Sequence, residues 1–228
     1  MKLLAIDTAT EACSAAIYSD GEIVQRYRIA PREHSHIILP MIDELLAETG
    51  SSLSAMNAIA FGRGPGSFMG VRIAAGVTQG IAFAHDLPVV PVSTLAAIAQ
   101  TAHTQTQADK VLAAIDARMN EVYWGVYELS DSGLMRPDGE ELVIPPGHLS
   151  AQHGTGWTAA GTGWSSYRDE LEATVGKHAI SNVIDECFPT ASAIATLGAA
   201  EFDAGNQVTA SHAVPVYLRD NVAKKSAA

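Results

Sequence analysis

Short apolar runs and turn residues alternate at the start of this chain. Residues 3–6 are apolar and end in Asp7, and a second apolar stretch covers residues 12–18. Short runs bounded by turn residues predict buried strands. Asp20-Gly21 supplies the turn into a third predicted strand, which ends near Ile29. The chain is therefore predicted to open with a three-stranded meander.

Helical periodicity follows this meander. Apolar side chains recur at three- and four-residue spacing between Ile37 and Leu46, which predicts an amphipathic helix. Residues 57–62 read as a strand, and the glycine-rich turn after it leads into a second predicted helix over residues 70–85. A short strand then precedes a third helix, for which Ser93 is a suitable N-terminal cap.

The pattern of the opening meander occurs twice. Leu-Ala-Ile-Asp at residues 4–7 is matched by Ala-Ala-Ile-Asp at residues 113–116, and Tyr18 is matched by Tyr127 at the same distance from the aspartate. The second copy continues with predicted strands at residues 122–129, up to Ile144 and at residues 158–160, and with a helix from Pro189-Thr190 to about Phe202.

Two related halves of alternating strands and helices predict an α/β protein with a mixed sheet in each half. This is the duplicated architecture of the actin, hexokinase and Hsp70 group. The polar residues 104–109 mark the join, so the predicted halves are residues 1–105, which include the crossover helix, and residues 106–228.

Composition and charge restrict the function classes. The formal net charge of −11 repels a phosphate backbone, which disfavours autonomous RNA binding. Arg219, Lys224 and Lys225 form a basic cluster at the C-terminus, which we interpret as a solvated tail. The sequence has neither a signal-peptide pattern nor a membrane-spanning run, so we predict a soluble cytoplasmic protein. Cys13 and Cys187 lack the spacing of a disulfide framework or a zinc site and are predicted to be buried.

The turn after the first strand of each half is a candidate phosphate site. Asp7, Thr8 and Thr10 form the first turn, where small residues allow backbone amides to approach an anion. In the second turn, Asp116 is followed by Ala117 and the long side chain of Arg118, where a glycine is expected. We therefore predict weak or absent ATP hydrolysis by the chain alone. The alternative interpretation is that both aspartates terminate strands and bond to nearby turn amides.

Other motifs give little support for catalysis. The loop of residues 62–66 lacks the lysine–serine pair of a Walker motif, and we interpret it as a tight turn for close helix packing. The eight histidines include no pair at the helical spacing of a metal site, and no serine lies in a Gly-x-Ser-x-Gly elbow. We assign no catalytic residue and no metal ligand.

The second predicted helix carries no charge over residues 73–83 and is apolar nearly all round. Such a helix has to be covered on both sides, by its own core or by another chain. Gly76 and Gly80 would let a neighbouring helix come close. Together with the first helix it could form a two-helix plate that pairs with a second plate. Packing of both helices on the sheet alone remains the alternative.

Several motifs together resemble the TsaB family. These are residues 6–10 (Ile-Asp-Thr-Ala-Thr), 34–36 (His-Ser-His), 64–68 (Gly-Pro-Gly-Ser-Phe), 70–72 (Gly-Val-Arg), 91–95 (Pro-Val-Ser-Thr-Leu) and 116–118 (Asp-Ala-Arg). The match covers nearly the whole chain and weakens after about residue 127. Met69 departs from the family pattern, in which a threonine is usual at this position. Loss of the threonine hydroxyl further weakens a phosphate role for the loop.

The resemblance implies an accessory subunit of the machinery that adds threonylcarbamoyl to a tRNA adenosine, and one that is not catalytic alone. Its implied partners are the catalytic homologue TsaD and the ATPase TsaE, with a homodimer when TsaD is missing and with tRNA contacted mainly through the partners. No cofactor is expected for the chain alone, and any ATP or ADP is expected at a subunit interface. The predicted partner surface consists of His36, Ile37, Pro40, Met41, Glu44, Leu45, Val71, Arg72, Ala75, Gly76, Gln79 and Gly80.

Two other function classes remain open from the sequence. A kinase of the same architecture would need both phosphate turns intact, and Arg118 speaks against that. A metal-dependent peptidase would need a metal site, for which the histidine spacing gives no support.

Overall fold

The computed structural model describes residues 1–219. The first half of the chain forms a five-stranded mixed sheet in the order β3-β2-β1-β4-β5. The strands are β1 (Lys2–Asp7), β2 (Ala12–Ser19), β3 (Glu22–Ile29), β4 (Ala58–Gly62) and β5 (Val89–Val92). The meander predicted for residues 3–29 is confirmed.

The second half forms a six-stranded sheet in which β11, β10, β6, β7 and β8 lie side by side and β9 also pairs with β7. The strands are β6 (Lys110–Asp116), β7 (Val122–Leu129), β8 (Met135–Pro137), β9 (Leu142–Ile144), β10 (Trp157–Ala160) and β11 (Ile180–Ile184). In both sheets the first strand pairs antiparallel with the second and parallel with the strand that follows the meander. The predicted duplicated, actin-like α/β fold is therefore confirmed.

Five α-helices flank the sheets within the described residues: α1 (His34–Thr49), α2 (Phe68–His85), α3 (Thr94–Thr106), α4 (Thr162–Val175) and α5 (Ala191–Asp203). Ser93 caps α3 as predicted, since its hydroxyl accepts from the amides of Leu95 and Ala96. Gly50 ends α1 in the left-handed conformation, with φ of 58°.

The helices do not all pack on the sheet of their own half. α1 and α2 cover one face of the first sheet, where Leu4, Ile6 and Phe61 are fully buried. α5 covers the opposite face of that same sheet, although it lies near the C-terminus. In turn, α3 packs on the second sheet. Each half thus contributes one helix to the sheet of the other half. The domain boundary between residues 105 and 106 remains a prediction.

The second half departs from its predicted elements in two ways. The predicted strand up to Ile144 is split into the short strands β8 and β9, which pair with opposite ends of β7. Helix α4 and strand β11 were not predicted. α4 buries few side chains, among them Trp164, Leu171 and Val175, and has a kink at Tyr167, so its apolar stripe is too narrow to mark a helix.

Three predictions about individual residues can be compared with the structure. Cys13 and Cys187 are free, buried thiols, as predicted. Arg219 was predicted to be part of a solvated tail, which is wrong, because its guanidinium pairs with Glu121 and its side chain is 14% exposed. Lys224 and Lys225 lie outside the described residues. No helix among residues 1–219 has the length and hydropathy needed to cross a membrane.

Candidate functional site

Helix α2 presents an apolar face to solvent. Its opposite side packs on the first sheet through Ala74, Ala75 and Ala82. The side chains that remain outside recur at heptad-like spacing and therefore form one stripe. The stripe consists of Met69, Arg72, Gly76, Gly80 and Phe83, and it is called here the α2 stripe.

The α2 stripe leaves large apolar groups in water. The side chain of Phe83 is 85% exposed and that of Met69 is 62% exposed, and Phe68 beside them is 52% exposed. Exposed apolar side chains that cluster on one face are typical of a surface that contacts another protein. Among residues 1–219, the covering expected for the uncharged stretch of residues 73–83 is therefore present on one side of the helix and absent on the other.

Helix α1 lies against α2 and widens this exposed area. His36, Pro40, Glu44 and Leu39 are exposed on α1, with Leu39 at 50%, while Ile37 is partly buried. The predicted partner residues of α2, namely Arg72, Gly76, Gln79 and Gly80, are exposed or partly exposed. The structure thus places both sets on neighbouring helices, and the α1–α2 surface is defined here as these residues together with the α2 stripe.

Four residues of the predicted partner surface face the core instead. Leu45, Val71, Ala75 and Met41 have exposed fractions between 0% and 9%. A side chain with almost no exposed area offers none to a partner, so these four support the surface from beneath. Phe68, Met69, Leu39 and Phe83 were not among the predicted residues, although the stripe through Gly76 and Gly80 extends to Met69 and Phe83.

A groove of about 300 Å³ borders the α1–α2 surface. It lies between the edge strand β3 and helix α1, and its walls are Arg26, Tyr27, Arg28, Ile37, Pro40, Met41 and Glu44. Arg26 crosses the groove to form ion pairs with Glu44, at 3.3 Å, and with Glu48. These exposed pairs orient side chains at the rim but contribute little stability.

The first aspartate turn is closed by the protein itself. Asp7 and Thr8 have no exposed area, and Thr10 is 7% exposed. The Thr8 hydroxyl donates to the carbonyl of Gly70 at 2.7 Å, and the amide of Ser67 donates to the carbonyl of Ala9 at 2.7 Å. A Cβ at Gly70 would lie 2.0 Å from the carbonyl oxygen of Thr8. The glycine loop therefore brings the start of α2 onto the turn, which confirms its predicted packing role.

Burial changes the acidity of Asp7. Its Oδ1 accepts from the amide of Ala9 at 3.1 Å, but its buried Oδ2 has no hydrogen-bond partner within residues 1–219. Loss of hydration raises the pKa of this carboxyl to about 7, and the bond from Ala9 opposes this only in part. Nearby, burial and the negative charge of Asp7 raise the pKa of the Cys13 thiol to about 12. A carboxyl with a pKa near 7 is partly protonated at neutral pH.

The second aspartate turn is closed by Arg118. The Asp116 carboxylate accepts from the backbone amide of Arg118 at 2.8 Å through one oxygen and from its guanidinium at 2.8 Å through the other. The Tyr167 hydroxyl donates to the same carboxylate at 3.4 Å. Both aspartates thus bond to a turn amide two residues ahead, which agrees with the structural interpretation of these residues.

Clusters of metal-ligating side chains are not found among residues 1–219, where no three His, Cys, Asp or Glu side chains lie together. His34 is buried, and its Nε2 lies 3.2 Å from the carbonyl oxygen of Ala12, so it ties α1 to β2. It is therefore a packing residue. That the chain uses no metal remains a prediction.

Comparisons with known proteins agree with one another. Residues 14–227 match the family model described as "TsaD: tRNA N6-adenosine threonylcarbamoyltransferase". A relative from Escherichia coli (strain K12), named tRNA threonylcarbamoyladenosine biosynthesis protein TsaB, is 44% identical over 99% of this chain and 97% of its own length. A protein of the same name from Haemophilus influenzae is 41% identical over 99% of this chain and 96% of its own length.

A solved structure gives the same result. The structure of YeaZ from Pseudomonas aeruginosa superimposes with a TM-score of 0.89 at 45% sequence identity, covering 95% of this chain and 99% of that one. Fold and sequence therefore agree over almost the whole length of the chain. The chain belongs to the TsaB (YeaZ) family, which is related to the threonylcarbamoyltransferase TsaD.

Proposed function

We propose that this chain is the accessory, non-catalytic subunit of a tRNA threonylcarbamoyladenosine modification complex. In this proposal it binds the catalytic homologue TsaD through the α1–α2 surface, and the complex also includes the ATPase TsaE. The observation that carries the proposal is the exposed apolar stripe of α2, from Met69 to Phe83, in a chain related to TsaB proteins. Without TsaD, the same surface is expected to form a homodimer, and the complex is expected in the cytoplasm.

Both aspartate turns support a non-catalytic role. Thr8 uses its hydroxyl on Gly70, Asp7 is enclosed, and Arg118 fills the side of Asp116. The Thr8 hydroxyl and both oxygens of the Asp116 carboxylate are thus already engaged within the chain. We expect no ATP hydrolysis by the isolated chain, and we expect any ATP or ADP of the complex at a subunit interface.

The negative charge of the chain bears on tRNA. A formal net charge of −11 opposes a long contact with a phosphate backbone. We therefore expect tRNA to contact mainly the partner subunits. This chain then acts by holding the catalytic subunit in its active form.

The α1–α2 surface can be tested with a charge on α2. A Cβ added at Gly80 would meet no neighbouring atom within 4 Å, so Gly80→Glu adds a carboxylate to the exposed face without a clash inside the chain. We expect this variant to bind purified TsaD at least about tenfold more weakly, because the buried charge would lack a partner. Binding would be measured by calorimetry, together with tRNA modification by the mixture of TsaD, TsaE and this chain.

A matched control separates surface from fold. Gly147 lies in the second half and also has open space at its Cβ, so Gly147→Glu adds the same charge away from α2. Wild-type affinity and modification are expected for it. If Gly80→Glu binds TsaD as tightly as this control does, α2 is not the contact.

A further inference from the structure

The last described stretch of the chain, residues 213–219, runs along the first half and ends on the second. It is called here the C-terminal clasp. The carbonyl of Ala213 accepts from the Gln79 side chain at 3.0 Å, and the amide of Val216 donates to the carbonyl of Arg63 at 2.8 Å. The clasp thus bonds to helix α2 and then to the glycine loop.

Tyr217 fixes the middle of the clasp to the start of α2. Its hydroxyl accepts from Nε of Arg72 at 2.9 Å, and its ring centroid lies 6.3 Å from that of Phe68. The Arg72 guanidinium lies 3.4 Å from the Phe68 ring centroid and 5.6 Å from that of Tyr217. Cation–π contacts of this kind contribute about 0.5–1 kcal/mol at exposed sites.

Arg219 carries the end of the clasp to the other half. Its guanidinium pairs with the Glu121 carboxylate, donates to the carbonyl of Arg118 at 3.3 Å and lies 3.6 Å from the Met119 sulfur. The Arg219 side chain is mostly buried in these contacts. One side chain therefore contacts the turn between β6 and β7 at three residues.

That turn has an unusual backbone. Arg118, Met119 and Asn120 all lie in the left-handed region, with φ of 59°, 60° and 59°. This region costs roughly 1–2 kcal/mol for most residues with a side chain, and asparagine tolerates it best. Asp116 holds the first residue from inside the turn, through its bond to the Arg118 amide. Arg219 holds the turn from outside, which explains how three consecutive residues keep this conformation.

We propose that the C-terminal clasp is a conformational device that locks the two halves together. It fixes the turn of Arg118–Asn120 relative to the glycine loop and the start of α2, with Arg219 as the locking residue. Because its contacts all lie within one chain, the clasp works in the isolated protein and does not depend on the proposed partners.

The test is amide hydrogen exchange of the isolated full-length chain with Arg219→Ala. Loss of the guanidinium is expected to speed exchange about tenfold at two places. One is the turn, at the amides of Ala117 and Glu121, which bond within it. The other is the amide of Val216, which is protected by Arg63 in the first half. Exchange in the centre of both sheets should remain unchanged.

Two further variants make the result decisive. Arg168→Ala removes an exposed arginine–aspartate pair elsewhere in the second half and should leave all of these amides unchanged. Tyr217→Phe removes one hydrogen bond of the clasp and should speed exchange at Val216 without unfolding the chain. Wild-type exchange at the turn in Arg219→Ala would overturn the proposal. So would faster exchange confined to the turn, because Arg219 would then be a local brace that does not couple the halves.

Discussion

At the scale of single residues, Asp7 shows how a repeated motif becomes a packing element. The carboxyl lies under Gly62, where a Cβ would come within 1.9 Å of Oδ2, so the strand β4 has room for Asp7 only because residue 62 is glycine. The enclosure that removes hydration also raises the pKa of the carboxyl to about 7. Asp116, which occupies the matching position, keeps a partner in Arg118.

The raised pKa of Asp7 makes stability depend on pH. In the folded chain the Asp7 carboxyl has a pKa of about 7, whereas in the unfolded chain its pKa is the ordinary 3.8. Between these two pH values the folded chain holds a proton that the unfolded chain has released. This stabilisation is complete below pH 3.8 and is lost as the pH rises through 7. From pH 5 to pH 8 the loss attributable to Asp7 is about 2–3 kcal/mol in the free energy of unfolding.

Asp7→Asn is therefore expected to flatten the pH dependence. Denaturant unfolding at several pH values between 5 and 8 would measure it, with Asp131→Asn in an exposed turn as the control. A slope equal to that of the wild type would show that Asp7 does not titrate in this range.

At the scale of the element, α2 combines two environments on one helix that carries no charge over residues 73–83. Ala74, Ala75 and Thr78 pack inward, while Gly76, Gly80 and Phe83 face outward. Ser67 caps the N-terminus of the helix, since its hydroxyl accepts from the Gly70 amide at 3.4 Å, and the helix ends at His85. Neighbouring positions on this helix therefore respond to the same substitution in opposite ways.

Ala75→Glu and Gly76→Glu are expected to separate the core from the surface. Ala75 is 4% exposed in the first core, so an added carboxylate there should lower the free energy of unfolding by about 3 kcal/mol or more. Gly76 has open space and a helical backbone, so its substitution should change stability by less than about 1 kcal/mol. Thermal and denaturant unfolding would compare them. Equal losses would mean that the buried and exposed sides of α2 are assigned incorrectly.

At the scale of the whole molecule, the exchange of helices joins the halves. The amides of Ala191 and Ser192 at the start of α5 donate to the side chains of Ser14 and Gln25 in the first half, at 2.9 Å and 2.8 Å. Further along α5, Gly198 packs so closely on Ala60 that a Cβ would come within 2.6 Å. The first sheet is therefore complete only with a helix from near the C-terminus.

A fragment of residues 1–105 is accordingly expected not to fold. Without α5, the face of the first sheet with Leu3, Val90 and Val92 would lie in water, at about 1.5–3 kcal/mol for each large side chain. Circular dichroism and the dispersion of amide NMR signals would report this. Residues 1–92 joined by a flexible linker to residues 190–204 should recover structure. A cooperative unfolding transition of the 1–105 fragment would instead show that the halves are independent.

The sequence by itself determined the strands and helices of the first half, helix α5 and the duplication, because these depend on local periodicity and on a repeat. It also marked residues 73–83 of α2 as a helical stretch without charges. The resemblance to a known family supplied the predicted partner surface. Four residues of that predicted surface are buried in the structure. The α2 stripe from Met69 to Phe83 was present in the pattern, but its exposure was not.

Tertiary structure alone decided which sheet each helix covers, how deeply Asp7 is enclosed and where the C-terminal clasp packs. α3 and α5 have similar small, apolar residues, so their patterns do not distinguish one sheet from the other. Likewise, the contact between Arg219 and Glu121 joins residues that are far apart in the sequence. Periodicity shows which side of a helix or strand is apolar. Which sheet that side packs against is decided by the packing of the whole chain.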